Sequence, residues 1–130
     1  MDRTARRRDP LADALPRQFF QASLLLLIGR RPAYGYSLRA QLEDLGVARD
    51  DWSQLYRCLR GMERAGLVVS CWEGSESGPA RRTYHATEMG HAQLREWAGV
   101  IADAQDLVAD FLARCSRSGA PTRQPRAGSA

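Results

Sequence analysis

The sequence predicts a mainly α fold with a small β-hairpin and one long C-terminal helix. Three observations predict it. Segments between residues 17 and 65 carry apolar residues at the spacing of a helix face. Two short runs rich in Val and aromatic residues flank a stretch dense in turn residues. From Leu94 to Phe111, apolar residues recur at spacings of 3, 4, 3, 4 and 3, as along one side of a continuous helix.

The first helix is expected over 17–30. Phe20, Leu24, Leu27 and Ile28 form its buried face. The flanking leucines make it apolar nearly all round, which places it centrally. Gly29 to Pro32 ends it. A second helix runs from Gly35 to Leu45, with Leu38, Leu42 and Leu45 on one stripe and Gly46 as the stop. Val47 to Trp52 is a linker.

The third helix is expected over 52–65. Asp51 with Gln54 three positions later matches a capping box. Leu55, Leu59 and Met62 form its core stripe. Ser53, Arg57, Arg60 and Arg64 recur at spacings of 4, 3 and 4 on a solvent-facing side. Glu63 pairs locally on its own helix. Gly66 closes the helix.

Leu67 to Trp72 and Arg81 to Ala86 read as the two strands of a hairpin, with Trp72 and Tyr84 in the core. Glu73 to Pro79 reads as its polar tip. Thr87 is a good N-cap, and Glu88 suits the first turn of the last helix. Over 88–115 that helix is about 42 Å long at 1.5 Å per residue. A domain this small does not cover such a length. The stripe of Leu94, Trp97, Ile101, Ala104, Val108 and Phe111 therefore implies dimerisation.

This order is that of a winged helix-turn-helix DNA-binding domain over 17–87 with a C-terminal dimerisation helix over 88–115. Residues 1–16 read as a loose basic arm. Residues 116–130, rich in Pro, Gly and Ser, read as a disordered tail. In such a fold the helix at 35–45 supports and the helix at 52–65 enters the major groove. Ser53, Gln54, Arg57, Arg60 and Arg64 then face bases and phosphates, and Arg81 and Arg82 near the wing tip reach phosphates or the minor groove.

Composition agrees with one globular domain: 130 residues, 44% hydrophobic and 26% charged. The net charge of +4 comes entirely from the two ends. Residues 1–16 hold four Arg against three Asp, residues 116–130 hold three Arg and no acid, and residues 17–115 hold twelve of each sign. What matters is where the core's charges fall. Residues 53–66 carry three Arg against one Glu, whereas residues 88–115 carry two Arg against five acids. A basic reading surface on an acidic arm suits a DNA-binding dimer. All 19 basic residues are Arg, which suits bidentate phosphate and guanine contacts, although genome base composition accounts for that usage equally well.

Other classes fall away. The longest apolar run, Leu24 to Ile28, is far short of the roughly 18 residues that span a bilayer, so no membrane partner is expected. The first 16 residues lack the apolar core of a signal peptide. Cys58, Cys71 and Cys115 are odd in number, widely spaced, form no CxxC pair and sit near no His cluster. Neither a disulfide framework nor a metal site is expected, no cofactor is called for, and a cytoplasmic setting fits. His85 and His91 lie in different elements, and neither reads as catalytic. With no catalytic triad, Gly-rich phosphate loop or paired carboxylates, the chain does not read as an enzyme.

The chain resembles the PadR family of transcriptional regulators. The residues that carry the resemblance are Tyr34-Gly-Tyr-Ser-Leu38, Leu55-Tyr-Arg-Cys-Leu-Arg-Gly-Met-Glu-Arg-Ala-Gly-Leu67, Trp72-Glu73 and Gly78-Pro-Ala-Arg-Arg-Thr-Tyr-His-Ala-Thr-Glu-Met-Gly-His91. It covers about residues 17–115, and Met62 stands where Leu is commonest. The resemblance implies a homodimeric repressor of double-stranded operator DNA, often released by a small-molecule effector. It gives Tyr56 a phosphate contact, and Tyr36 is a candidate backbone contact from the supporting helix. It implies a dimer built from the first and last helices, with a pore lined by residues such as Phe20, Leu24, Trp97 and Ile101. The family's stacking aromatic in drug-binding members falls here on Ile101, so a flat-ligand sandwich does not carry over. The zero net charge of residues 17–115 supports a second reading, a winged-helix protein-interaction module without DNA binding.

Overall fold

A computed structural model describes residues 15–16, 18–47, 52–75 and 78–119. Most of the basic arm, the expected cap Asp51, the hairpin-tip residues Glu76 and Ser77, and the tail from residue 120 on lie outside the described residues. The described chain runs α1 (Phe19–Arg30), β1 (Ala33–Tyr34), α2 (Gly35–Asp44), α3 (Ser53–Arg64), β2 (Val68–Ser75), β3 (Gly78–Ala86) and α4 (Glu88–Arg117).

α1 is the central post. It buries Phe20, Leu24, Leu25, Leu27 and Ile28, and the polar Ser23 among them donates its hydroxyl to the Phe19 carbonyl at 2.8 Å. Around α1 pack Leu38 and Leu42 of α2, Leu55, Leu59 and Met62 of α3, and Val68 and Tyr84 of the sheet. α2 and α3 end the same way. Gly46 and Gly66 take φ of 84° and 82°. The next residue's N–H then reaches back to a helix carbonyl, Val47 to Leu42 and Leu67 to Met62, both at 2.9 Å. A side chain at either glycine would strain that turn.

The sheet departs from the expected hairpin in two ways. It has three antiparallel strands in the order β1-β3-β2, because Ala33 and Tyr34 pair with Tyr84 and Thr83. Two residues are too short a run for any periodic signal. The hairpin strands also extend to Ser75 and start again at Gly78, so most of the stretch expected as a loop lies within the strands, with a register shift between Glu73 and Ser75.

The expected capping box turns on Asp51, which lies outside the described residues. The residue before α3 is Trp52, and it makes no side-chain cap bond. α4 begins as expected, with the Thr87 side chain accepting from Gly90 N–H at 3.0 Å. Its 30 residues end at Arg117. The apolar stripe divides along its length. Leu94 and Trp97 pack partly buried on the chain's own core, whereas Val108 and Phe111 are 52% and 62% exposed.

The junction of β2 and α4 is tight. A Cβ at Gly90 would overlap the Leu67 carbonyl oxygen. At Gly61, in mid-α3, a Cβ meets nothing within 4 Å. The two Gly→Ala changes should therefore differ in sign. Gly90→Ala is expected to destabilise by about 1–3 kcal/mol through overpacking, and Gly61→Ala to stabilise by up to about 1 kcal/mol through helix propensity. Urea unfolding of both variants checks this; equal effects would contradict the tight junction.

Candidate nucleic-acid interface

α3 is two-sided by burial. Leu55, Leu59 and Met62 are buried, while Ser53, Arg57, Arg60 and Arg64 are exposed and Gln54 is partly buried. Tyr56 is 38% exposed, because its ring lies over Gly35 at the start of α2. A Cβ there would come within 2.6 Å of the Tyr56 ring. The hydroxyl end is thus held at the seam between α2 and α3.

A cleft of about 320 Å³ opens between α3 and the sheet. Tyr56 and Arg60 form one wall, and Tyr34, Trp72, Arg81 and Arg82 the other. Four of the expected contact residues thus converge here. Arg57 and Arg64 lie outside the cleft, further around the exposed side of α3. Tyr36 is separate again: it is 73% exposed on α2, with the Arg39 guanidinium 5.9 Å from its ring centre.

The two wing arginines have different surroundings. Arg81 holds its guanidinium 4.7 Å above the Tyr34 ring, a cation–π position at the cleft mouth. Arg82 is tied down. Its Nη2 donates to Glu63 Oε1 at 3.1 Å and its Nε to Ser70 Oγ at 2.9 Å. The Ser70 hydroxyl in turn donates to Glu63 Oε2 at 2.7 Å. Glu63 therefore pairs across to the sheet and not, as expected, along its own helix. The three groups brace α3 against the wing. The pair is partly exposed, at 42% and 30%, so it fixes geometry more than it adds stability. Beneath it, burial raises the Tyr84 hydroxyl above the ordinary phenol range, and the neighbouring Arg82 charge partly opposes that.

Other expectations change. Trp72, expected in the core, is 68% exposed. It alternates with Val68 and Ser70 on one face of β2, but the hairpin has by then run past the body it covers. Phe20 and Leu24, expected in a pore, are 4% and 0% exposed within the single chain. Both belong to the protomer core. The groove between α1 and α4, about 480 Å³, is bordered instead by Phe19, Ala22, Leu26, Leu94, Ala98 and Ile101 among others.

Two features had no place in the sequence reading. Arg39 lies 5.1 Å over the Trp52 ring as well as near Tyr36, and its spacing of three from Tyr36 on a helix was the available signal. Cys71 Sγ lies 3.6 Å from His85 Nε2. Fourteen residues separate them in the chain, and only strand pairing brings them together.

Residues 24–96 match the transcriptional regulator PadR-like family. The chain belongs to that family. Its members are transcription regulators, not enzymes. A PadR family transcriptional regulator from Eggerthella lenta is 31% identical, with 78% of this chain and 83% of that one covered at a TM-score of 0.64. A PadR-like transcriptional regulator from Bacillus cereus is 27% identical, over 72% of this chain and 90% of that one, at 0.65. A Streptococcus transcriptional regulator, 19% identical, shares the fold over 79% of this chain and 97% of that one, at 0.66. No curated protein matches. The matched segment in this PadR-like chain takes in α2, α3 and the whole wing, so the cleft lies inside it. The distal half of α4 lies beyond it.

An exposed Trp72 has a measurable consequence. Trp72→Ala is expected to cost less than about 0.5 kcal/mol of stability. Leu59→Ala, at a fully buried position, is expected to cost about 2–5 kcal/mol. Chemical denaturation of the two variants side by side decides; comparable losses would put Trp72 back in the core.

Proposed function

We propose that this PadR-like regulator is a homodimeric repressor acting on double-stranded operator DNA in the cytoplasm, with its binding modulated by a small-molecule effector. Residues 17–87 form the DNA-binding unit and residues 88–115 the dimerisation helix. The observation that carries the reading is the exposed Arg57, Arg60 and Arg64 side of α3 leading into the cleft that Arg60 lines together with Arg81 of the wing. α3 lies in the major groove, with Ser53, Gln54 and Arg57 nearest the bases. Tyr56, Arg60 and Arg64 meet phosphates. Arg81 and the wing follow the backbone into the neighbouring minor groove, and Tyr36 with Arg39 meets the backbone from α2. Arg82 acts through Glu63 and Ser70 as a brace that sets the angle between wing and helix.

Dimerisation accounts for the apolar residues left uncovered on α4. Leu107, Val108, Phe111 and Leu112 are between 48% and 71% exposed, on a helix about 45 Å long at 1.5 Å per residue. A second copy of α4, with α1, covers them. The groove beside Leu94 and Ile101 then lies next to the subunit interface. Its volume is within the range of small-ligand sites, and its largely apolar border suits an apolar effector with a polar group near Arg95 or Gln105.

Two measurements test this. Replacing Arg57 and Arg60 together with Ala should weaken binding to the gene's own upstream DNA by roughly 1–3 kcal/mol per lost contact. It should also reduce the salt slope by roughly 1 for each phosphate contact removed. Fluorescence anisotropy across a salt series reads both. Unchanged affinity and slope would remove these residues from the interface, and no binding by the unaltered protein in modest salt would favour the protein-interaction reading. Secondly, the double variant Val108→Asp, Phe111→Asp should sediment as a folded monomer and lose operator affinity. A dimer that survives both charges would place the interface elsewhere.

A further inference from the structure

We propose that Cys71, Glu73 and His85 form a binding site for a zinc-class divalent ion on the outward face of the wing. The strand register creates it. Val69 pairs with His85, Cys71 with Thr83, and Glu73 with Arg81. Alternate strand residues share a face. Cys71, Glu73 and His85 therefore project together, on the side opposite Val68 and Tyr84, which are buried at 0% and 5% exposure. One donor atom from each of the three residues lies within 4.8 Å of the others.

The distances suit a tetrahedral ion. Bonds of about 2.3 Å to sulfur and about 2.0 Å to nitrogen set those two atoms about 3.5 Å apart in a tetrahedron. Cys71 Sγ and His85 Nε2 are 3.6 Å apart. The Glu73 carboxylate needs only a side-chain rotation to close, and Glu73 is exposed enough to make it. Thr83, buried at 6% exposure, donates its hydroxyl to Glu73 Oε1 at 3.2 Å. That bond orients the carboxylate and leaves its other oxygen for the ion, the usual work of an outer partner in a metal site. The Arg81 guanidinium opposite Glu73 is held over Tyr34.

The donor set selects the class of ion. Thiolate, imidazole and carboxylate together suit zinc and its borderline neighbours, whereas magnesium and calcium prefer oxygen throughout. On binding, the Cys71 thiol loses its proton to solvent. The thiolate and carboxylate then balance the ion's two positive charges. Solvent takes the fourth position, so the site is of the open, exchangeable kind. A bound ion ties β2 to β3 next to the register shift at Glu73 and Ser75, adding to the strand pairing and the Thr83–Glu73 hydrogen bond.

The test is a cobalt(II) titration of the full chain, without an affinity tag and under reducing conditions. The expected result is a thiolate-to-cobalt charge-transfer band with the visible bands of tetrahedral cobalt, saturating at one equivalent and bleached by zinc. Cys71→Ser should abolish the charge-transfer band while leaving the far-ultraviolet circular dichroism unchanged. Cys115→Ser should keep it. His85→Asn and Glu73→Gln should weaken cobalt binding, and Thr83→Ala should weaken it about 10- to 100-fold. Absence of the band in the unaltered protein, or a band that survives Cys71→Ser, overturns the proposal. No DNA enters the experiment, so its outcome is independent of the repressor reading.

Discussion

The structure depends on the seating of the first turn of α4 against the start of β2. Thr87 does most of it. Its backbone N–H donates to the Leu67 carbonyl at 3.1 Å. Its hydroxyl donates to the Gly66 carbonyl at 2.6 Å and accepts from Gly90 N–H at 3.0 Å. Gly90 has no side chain, and that lets α4 approach the Leu67 backbone at all. Gly66, in its left-handed conformation, is also the residue that turns α3 into β2. Helix α3, the wing and the long helix therefore meet at one small knot. A dimeric DNA reader needs a fixed angle between its reading helix and its dimer axis, because operator half-sites are spaced by the helical repeat. In the dimer proposed above, this knot sets that angle.

A second brace sits at the other edge of α3. Glu63, Ser70 and Arg82 tie the helix to the sheet, and the cleft beside them is bounded by Tyr56, Arg60, Trp72 and Arg81. The basic residues thus divide by role. Arg82 is spent inside the molecule, Arg81 and Arg39 are parked over aromatic rings, and Arg57, Arg60 and Arg64 project outward. A count of charges along the chain treats all of them alike. The division follows from which neighbours each guanidinium finds, and only a folded chain supplies those neighbours.

The elements were legible because their signals are local. Leu55, Leu59 and Met62 share a helix face by spacing alone, and they are buried. Gly46 and Gly66 end their helices where the apolar stripes stop. Thr87 caps α4 as its residue type suggests. The misreadings share one cause, which is dependence on a distant partner. β1 exists because β3 is there to pair with it. Trp72 sits on the core face of its strand but past the end of the core. Phe20 and Leu24 turn inward because α1 is surrounded, which leaves Phe19 and Leu26 to border the groove. Glu63 has an Arg on its own helix, at position 60, but closes on Arg82, nineteen residues away. Antiparallel pairing likewise sets Cys71 beside His85, which chain spacing does not signal.

The sequence by itself determined the order of the helices and the hairpin, most of their buried stripes, the family and the basic side of α3, though not β1 or the exposure of Leu45. Each of these follows from spacing within a helix, from turn chemistry or from a contiguous motif, so neighbours along the chain carry the information. The tertiary structure alone decided which arginines remain available, where Trp72 points, how the α4 stripe divides and which donors gather on the wing. Those outcomes depend on strand register and on the seating of α4, which join residues far apart in the chain.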